Sequence, residues 1–296
     1  MVTSAQVKQV AKAAGADLVG IASMDRFEGA PKQFDPRYIF PDATAMVVLG
    51  FRIPRGSLRG IEEGTFYVSF CGMGYAAINW ILQPMVLWEL NQFLEEEGYE
   101  SVPVSNCFPW CNIDTQTGEP RKDFSRPVSP DRPAPDVFIH LRLAAFAAGL
   151  GEIGYSKLLL TPEFGPRQRF ACLITDAPLE PDPIYEGPEL CDRCMLCVRD
   201  CTGQAISRDE TVKVTVAGHD VEWGKIDIAK CAKAFQSPPP EHNPFLGDPG
   251  PVYVYGRALE GARGCMRACM VHLEEEGKLR KRFERPFRVR KPWRIE

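Results

Sequence analysis

The stretch that decides the reading is Cys191-Asp-Arg-Cys194-Met-Leu-Cys197-Val-Arg-Asp-Cys201. Its spacing, C-x2-C-x2-C-x3-C, is that of the cluster-binding run of bacterial ferredoxins. Three closely spaced thiolates wrap a tight loop around one face of a 4Fe–4S cube, and backbone N–H groups aim at its sulfides. The fourth cysteine opens the following helix and points away, toward a second cluster. Thr202 stands where a proline usually follows. Zinc is the competing reading. It prefers two separated cysteine pairs that close one tetrahedron, and four thiols within eleven residues fit that poorly.

Outward from this run, the remaining cysteines are uneven. The chain has eleven in 296 residues; only Cys71, Cys107, Cys111 and Cys172 precede the run, and Cys231, Cys265 and Cys269 follow it. Two clusters need about eight ligands exchanged crosswise between two motifs. The second motif is incomplete, because Ala262 occupies the place three residues before Cys265. One cluster is therefore expected on Cys191, Cys194, Cys197 and Cys269, and the other on Cys201, Cys231 and Cys265 with one corner lacking cysteine. That leaves open a 3Fe–4S cluster, a 4Fe–4S cluster with another ligand, an iron open to a small molecule, or a single cluster with Cys265 merely buried.

The rest of the composition is that of an ordinary globular chain: 45% apolar, 25% charged, net charge −4. Disorder is excluded, and the length suggests two domains. No secretory or twin-arginine signal is legible. The longest apolar stretch, Ala76 to Leu90, is broken by Asn79, Gln83 and Pro84 and reads as too short to span a bilayer. A soluble cytoplasmic protein without a membrane span is expected, and in a reducing compartment thiols favour metal or catalysis over disulfides. The proline-rich Ala177 to Pro188 marks a linker, and Ser237 to Pro251 a long loop. The expected organisation is residues 1–185, residues 186–275 and a basic tail, 276–296. In the first part, helices are expected from Ser4 to Gly15, over Tyr75 to Gly98 with a kink at Pro84, and over Phe138 to Ala148. Strands are expected at Asp17–Ala22, Ala43–Phe51, Tyr99–Val104, Lys157–Thr161 and Arg169–Thr175.

The ordered set of motifs resembles the corrinoid-dependent reductive dehalogenases and, more distantly, epoxyqueuosine reductase. The resemblance covers most of residues 1–275. It is carried by Gly15-Ala-Asp-Leu-Val-Gly-Ile-Ala22, Ala148-Gly-Leu-Gly-Glu-Ile-Gly154, the Leu158 to Arg169 string, Thr175 to Asp182 and the Cys191 run. It implies an α/β (α+β) fold: a nitroreductase-like cobalamin-binding domain followed by a bacterial two-cluster ferredoxin-like domain. It implies base-off cobalamin between them, electrons passing from clusters to cobalt to a small-molecule substrate, and a redox donor such as ferredoxin or flavodoxin. Tyr99 to Asn106 resembles a family string whose asparagine lines the substrate pocket, and Tyr75 stands about where the family has a catalytic tyrosine. Where the family commonly has lysine or arginine, this chain has Tyr155, with Lys157 two residues on. Tyr75, Asn106 and Tyr155 are thus expected to line the cobalt face. Arg132-Pro-Ala-Pro-Asp136 departs from the family's Val-Asp-x-Ala-Pro string, which weakens a queuosine-type substrate.

Other features compete with plainer readings. Gly149, Gly151 and Gly154 fit G-x-G-x-x-G, but the expected strand before and helix after are missing, so a turn beside the corrinoid is favoured over dinucleotide binding. Gly72 and Gly74 flank Met73 beside Cys71 and could admit a flat cofactor. Cys107 and Cys111 form a weak C-x3-C pair, better read as buried thiols. The four histidines, His140, His219, His242 and His272, are scattered, and His140 reads as a hydrogen-bonded core residue. The tail from Lys278 carries nine basic against two acidic residues, a net +7 that leaves −11 on residues 1–277. With Phe283, Phe287 and Trp293 interleaved it could read RNA, but packing on its own acidic body is favoured, so nucleic acid is disfavoured as a partner. A homodimer stays open. An electron-transfer or corrinoid-carrying protein without its own substrate is the alternative function, and a tRNA-acting reductase a weaker one.

Overall fold

The structure, a computed structural model, describes residues 2–106, 121, 125–236, 239–246, 264–287, 293 and 295. Cys107, Cys111 and Ala262 lie outside the described residues.

Helix α1 (Ser4–Ala14) is capped by Thr3. The Thr3 hydroxyl accepts the Gln6 N–H, and the Gln6 side chain accepts the Thr3 N–H in return. Gly15, at φ 122°, ends the helix. Strands β1 (Leu18–Ser23), β2 (Ala45–Arg52), β3 (Ser101–Val104) and β6 (Gln168–Thr175) form one antiparallel sheet ordered β1-β2-β6-β3. The two central strands are apolar on both faces because both faces are covered. Val47, Leu49 and Phe51 face the core containing α1 and α3 (Gln83–Glu96). Met46, Val48 and Cys172 face the core containing α4 (Leu141–Ala147).

The long helix begins earlier than expected, and Pro84 does not split it. Helix runs through π-helical segments at Phe70–Ala76 and Ile78–Leu82 directly into α3. Pro84 sits in the first turn of α3, where its missing N–H is tolerated, and widened turns precede it. The resulting helix, Phe70–Glu96, is long and apolar enough to cross a membrane by length and composition. This departs from the reading of Ala76 to Leu90 as too short. One side of it, including Ile78, Val86, Leu87 and Leu90, is buried in the core. The other exposes Met73, Trp80, Ile81, Leu82, Met85 and Trp88.

Between these elements and the cysteine run lie β4 (Glu152–Ile153) and β5 (Leu159–Leu160), paired with each other. After α5 (Leu196–Arg199) comes a hairpin that the sequence reading missed: β7 (Ile206–Val216) and β8 (His219–Ile226). Its signal was present. Thr211 to Val216 alternates, and Ala217-Gly218, both at positive φ, make the tight turn that suits a twisted hairpin. The hairpin buries Val221 and Trp223 in the core that holds α4. Helices α6 (Ile228–Gln236) and α7 (Cys265–Glu275) bring the remaining cysteines back toward the run. The tail's aromatics pack on the chain itself, but against arginines rather than acids. Phe283 lies 4.2 Å from Arg55, Phe287 5.2 Å from both Arg55 and Arg59, and the Trp293 ring nitrogen donates to the Ile61 carbonyl.

Candidate metal centre and adjoining cavity

The cysteine run is held in an unusual backbone. Arg193 and Met195 both take positive φ, a conformation that non-glycine residues adopt only when surroundings impose it. Glu152, reaching from β4, accepts the N–H groups of Leu190 and Cys191 and fixes where the loop starts. Backbone amides then point at sulfur: Tyr155 N–H donates to Cys191 Sγ and Ala205 N–H to Cys201 Sγ, each at 3.3 Å.

The seven thiols gather in two neighbouring groups. Cys269 on α7 faces Cys191, Cys197 and Cys194, while Cys265, one turn earlier, faces Cys201 and Cys231. Burial, followed by repulsion from neighbouring sulfurs, pushes the Cys197 and Cys265 thiols up to about 12 and Cys269 well above its ordinary value. Cys194 and Cys231 are raised too, burial again leading. Thiols gathered this closely would repel one another as thiolates unless a cation sat among them. The donor set, all sulfur with N–H groups aimed at it, fits iron–sulfur chemistry. Cys172, buried in β6, has its thiol raised by burial alone and belongs to the core. His272 is not as isolated as its sequence position suggested. Its Nε2 lies 2.7 Å from Asp192, and those two with Cys194 bring three ligand atoms within 4.8 Å of one another. Desolvation alone would raise the Asp192 carboxyl, but hydrogen bonds from His272 and Lys278 hold it at about 2.

A cavity of about 920 Å³ opens between the π-helical segments, β3 and the segment 128–141. Tyr75 and Asn106 line it, together with Asn79, a residue the sequence reading did not single out. Asn106 is positioned by Gln83, whose side chain accepts its N–H at 2.8 Å and donates to the Phe170 carbonyl at 3.3 Å. Arg169 backs the wall: its guanidinium lies 4.1 Å from the Tyr75 ring centroid and donates to Asn79 Oδ1 at 2.6 Å. Two more cations follow. Arg142 donates to the Lys157 carbonyl at 3.1 Å, and Lys157 Nζ lies 4.8 Å from the Trp223 ring centroid. Arg142 feels Arg169, Lys157 and the Cys265 and Cys231 sulfurs, so it stands between the cavity wall and the second thiol group. Burial, then Arg142, pushes Lys157 down to about 8. Burial, then Lys157 and Arg142, pushes His140 down to about 3, so it stays neutral, accepting the Leu143 N–H at the start of α4. This agrees with the plain core reading of that histidine.

Three sequence expectations are corrected. Tyr155 does not line the cavity: its ring is buried beside Cys197 and Ile206, and its hydroxyl donates to the Ser207 and Arg208 carbonyls at 3.1 and 2.9 Å. The hairpin absent from the sequence reading supplies those acceptors. Gly149, Gly151 and Gly154 are filled by the chain's own atoms rather than by a ligand. A Cβ on Gly149 would fall 2.0 Å from the Pro183 carbonyl, one on Gly151 2.0 Å from that of Leu160, and one on Gly154 3.0 Å from the Leu160 side chain. A helix, α4, precedes this pattern, which also removes the dinucleotide reading. Gly74 makes room for Phe70 and Ile53, whereas Gly72 faces open space.

The cavity lining, amide and hydroxyl groups of Asn79, Ser105, Asn106 and Ser129 among apolar Ile39 and Val104, fits in kind a large macrocycle fringed with carboxamides. Comparisons with known proteins place the chain among relatives. The chain is 47% identical over 72 residues to the tetrachloroethene reductive dehalogenase of Desulfitobacterium hafniense, a match spanning 24% of this chain and 13% of that one. It is 43% identical over 65 residues to the enzyme of the same name from Sulfurospirillum multivorans, across 21% and 13% of the two chains. This chain resembles the reductive dehalogenases. Its α+β fold is theirs as well: a solved catabolic reductive dehalogenase superposes with a TM-score of 0.53 at 23% identity, over 77% of this chain and 28% of that one. An epoxyqueuosine reductase structure superposes with a TM-score of 0.47 at 17% identity, over 78% and 56% of the two chains. No protein-family model matches. The matches thus span a small part of the dehalogenases' own length.

Proposed function

We propose that the protein is an iron–sulfur oxidoreductase of reductive dehalogenase type, acting on a small molecule in the cavity lined by Tyr75 and Asn106. The observation that carries this is the adjacency of two things: seven thiols gathered in two groups, and a polar-lined cavity whose wall residue Leu141 is followed by Arg142, which feels the Cys265 and Cys231 sulfurs. Cys191, Cys194, Cys197 and Cys269 would hold one cluster; Cys201, Cys231 and Cys265 would hold the other. Cobalamin would be held against the amide-rich wall, and when bound it supplies a strongly reducing, nucleophilic metal centre.

The chain's own residues supply position and protons. Tyr75 lines the cavity, with the Arg169 guanidinium 4.1 Å from its ring centroid, and would be the proton donor to the reacting group. Gln83 and Asn79 fix the amide wall. Cys194 is exposed, which suits electron entry from a ferredoxin or flavodoxin. An open, polar-lined cavity favours an enzyme over a carrier without a substrate, and the self-packed Phe287 and Trp293 disfavour a tail that reads RNA.

The test is anaerobic reconstitution with iron, sulfide and cobalamin, metal analysis, and halide release from a panel of alkyl and aryl halides with a viologen donor. About one cobalt per chain is expected, with halide release that falls ~100-fold in Tyr75→Phe while cluster reduction is unchanged. Cobalt that does not bind, or equal turnover in the variant, rejects the reading.

A further inference from the structure

Between Glu63 and Glu89 the chain carries no charged residue. That stretch runs into the helix Phe70–Glu96, whose inner side packs in the core through Ile78, Val86 and Leu87. The outer side is apolar as well. Ile81, Leu82, Met85 and Trp88 recur at i, i+1, i+4 and i+7, one helix face, and Met73 and Trp80 extend it back through the π-helical turns. Exposure of these six runs from 43% at Leu82 to 66% at Trp88. At about 200 Å² for a large side chain, they present on the order of 700 Å² of apolar surface. The largest such patch on a typical monomer is roughly 300–600 Å², and one side of a standard protein–protein interface is roughly 800 Å². Tryptophan and methionine are enriched, and charge is depleted, at the centres of such interfaces.

The charges at the end of the helix choose the occupant. Phe70–Glu96 has no lysine or arginine, and Glu89, Glu95 and Glu96 follow the apolar stripe, with Glu97 just beyond. A helix lying on a lipid surface relies on basic residues along its polar face to meet anionic headgroups, and this one would repel them. A second copy of the same chain meets no such penalty, provided the acidic ends stay apart. Antiparallel packing about a two-fold axis does this: it lays each stripe on its mate and puts the two acidic ends at opposite edges. We propose that the outer face of this helix, centred on Ile81, is a homodimer interface packed antiparallel about a two-fold axis. Trp80 belongs both to this face and to the cavity wall, so the interface borders the cavity. The inference is independent of the chemistry assigned to that cavity.

The experiment is sedimentation equilibrium of the anaerobically reconstituted full chain over a range of concentrations, with Ile81→Glu, Ile81→Lys and Trp88→Glu beside it. The wild-type chain is expected to be a dimer with a dissociation constant of about 10 µM or tighter. Each substitution places an unpaired charge in the interface and should weaken dimerisation at least ~100-fold. Iron content and circular dichroism should be unchanged, because Ile81 and Trp88 are exposed on the single chain. Ile81, midway along the stripe, lies near the axis and faces its own counterpart, so an equimolar mixture of the Ile81→Glu and Ile81→Lys chains should dimerise again. A wild-type chain that stays monomeric overturns the proposal. If that monomer binds vesicles of phosphatidylcholine and phosphatidylglycerol, the face belongs to a membrane instead. A dimer indifferent to all three substitutions, or a mixture that stays monomeric, overturns the proposal as well.

Discussion

Lys157 shows how far a residue's behaviour can depart from its sequence context. Burial and Arg142 hold its ammonium near 8, against an ordinary value of 10.5. A base whose folded pKa is depressed destabilises the fold while it must stay charged, so the penalty is fully present below pH 8. It is relieved as pH rises from 8 to 10.5, where the folded chain has released its proton and the unfolded chain has not. Lys157→Met is therefore expected to be more stable than the wild type in urea at pH 7, with the gain shrinking by pH 10. A gain that does not change with pH would show that Lys157 is well solvated. The gathering of the thiols was legible in the sequence, because a cluster would dictate ligand spacing along the chain. Tyr155 was not, since its hydroxyl partners are carbonyls more than fifty residues away that leave no mark on sequence. The cationic group of Arg142, Lys157 and Arg169 was invisible for a related reason. The start of α4, the turn before β5 and the edge of β6 become neighbours only in the fold.

At the scale of elements, α7 is the piece that joins the halves. It carries Cys265 and Cys269, and between them Arg267 forms a two-pronged ion pair with Glu62 of α2 (Arg59–Glu63), both side chains 8% exposed. Arg267 also reaches Asp200 beside Cys201, at 3.7 Å. Removing one partner of such a buried pair leaves a charge without compensation, at a cost of about 3–5 kcal/mol. Glu62→Gln should lose about that much stability in urea and weaken cluster retention on gel filtration. A loss under about 1 kcal/mol would mean that solvent or Asp200 compensates the guanidinium. Most elements could be read from periodicity: α1, β1, β2, β3 and β6 fall within a few residues of their expected places. The β7–β8 hairpin was overlooked because attention to cysteine spacing treated the stretch between Cys201 and Cys231 as connection. The long helix started five residues early because its first turns, rich in glycine, are π-helical and carry no α-helical period.

At the scale of the whole molecule, two apolar cores sandwich one antiparallel sheet; the β7–β8 hairpin packs on the α4 core, while α7 packs through Met270 and Val271 on the core of α1 and α3. The electron path proposed above would run from the exposed Cys194 through the thiol groups toward the cavity. The account's central claim is that these sulfurs hold electron-carrying iron–sulfur centres. The direct measurement is low-temperature electron paramagnetic resonance of the anaerobically reconstituted full chain after dithionite reduction, with Cys269→Ser and Cys231→Ser beside it. The account predicts signals from two iron–sulfur centres, one lost in Cys269→Ser and the other altered in Cys231→Ser. A chain that retains tightly bound zinc and gives no signal, or a signal indifferent to both substitutions, would contradict it.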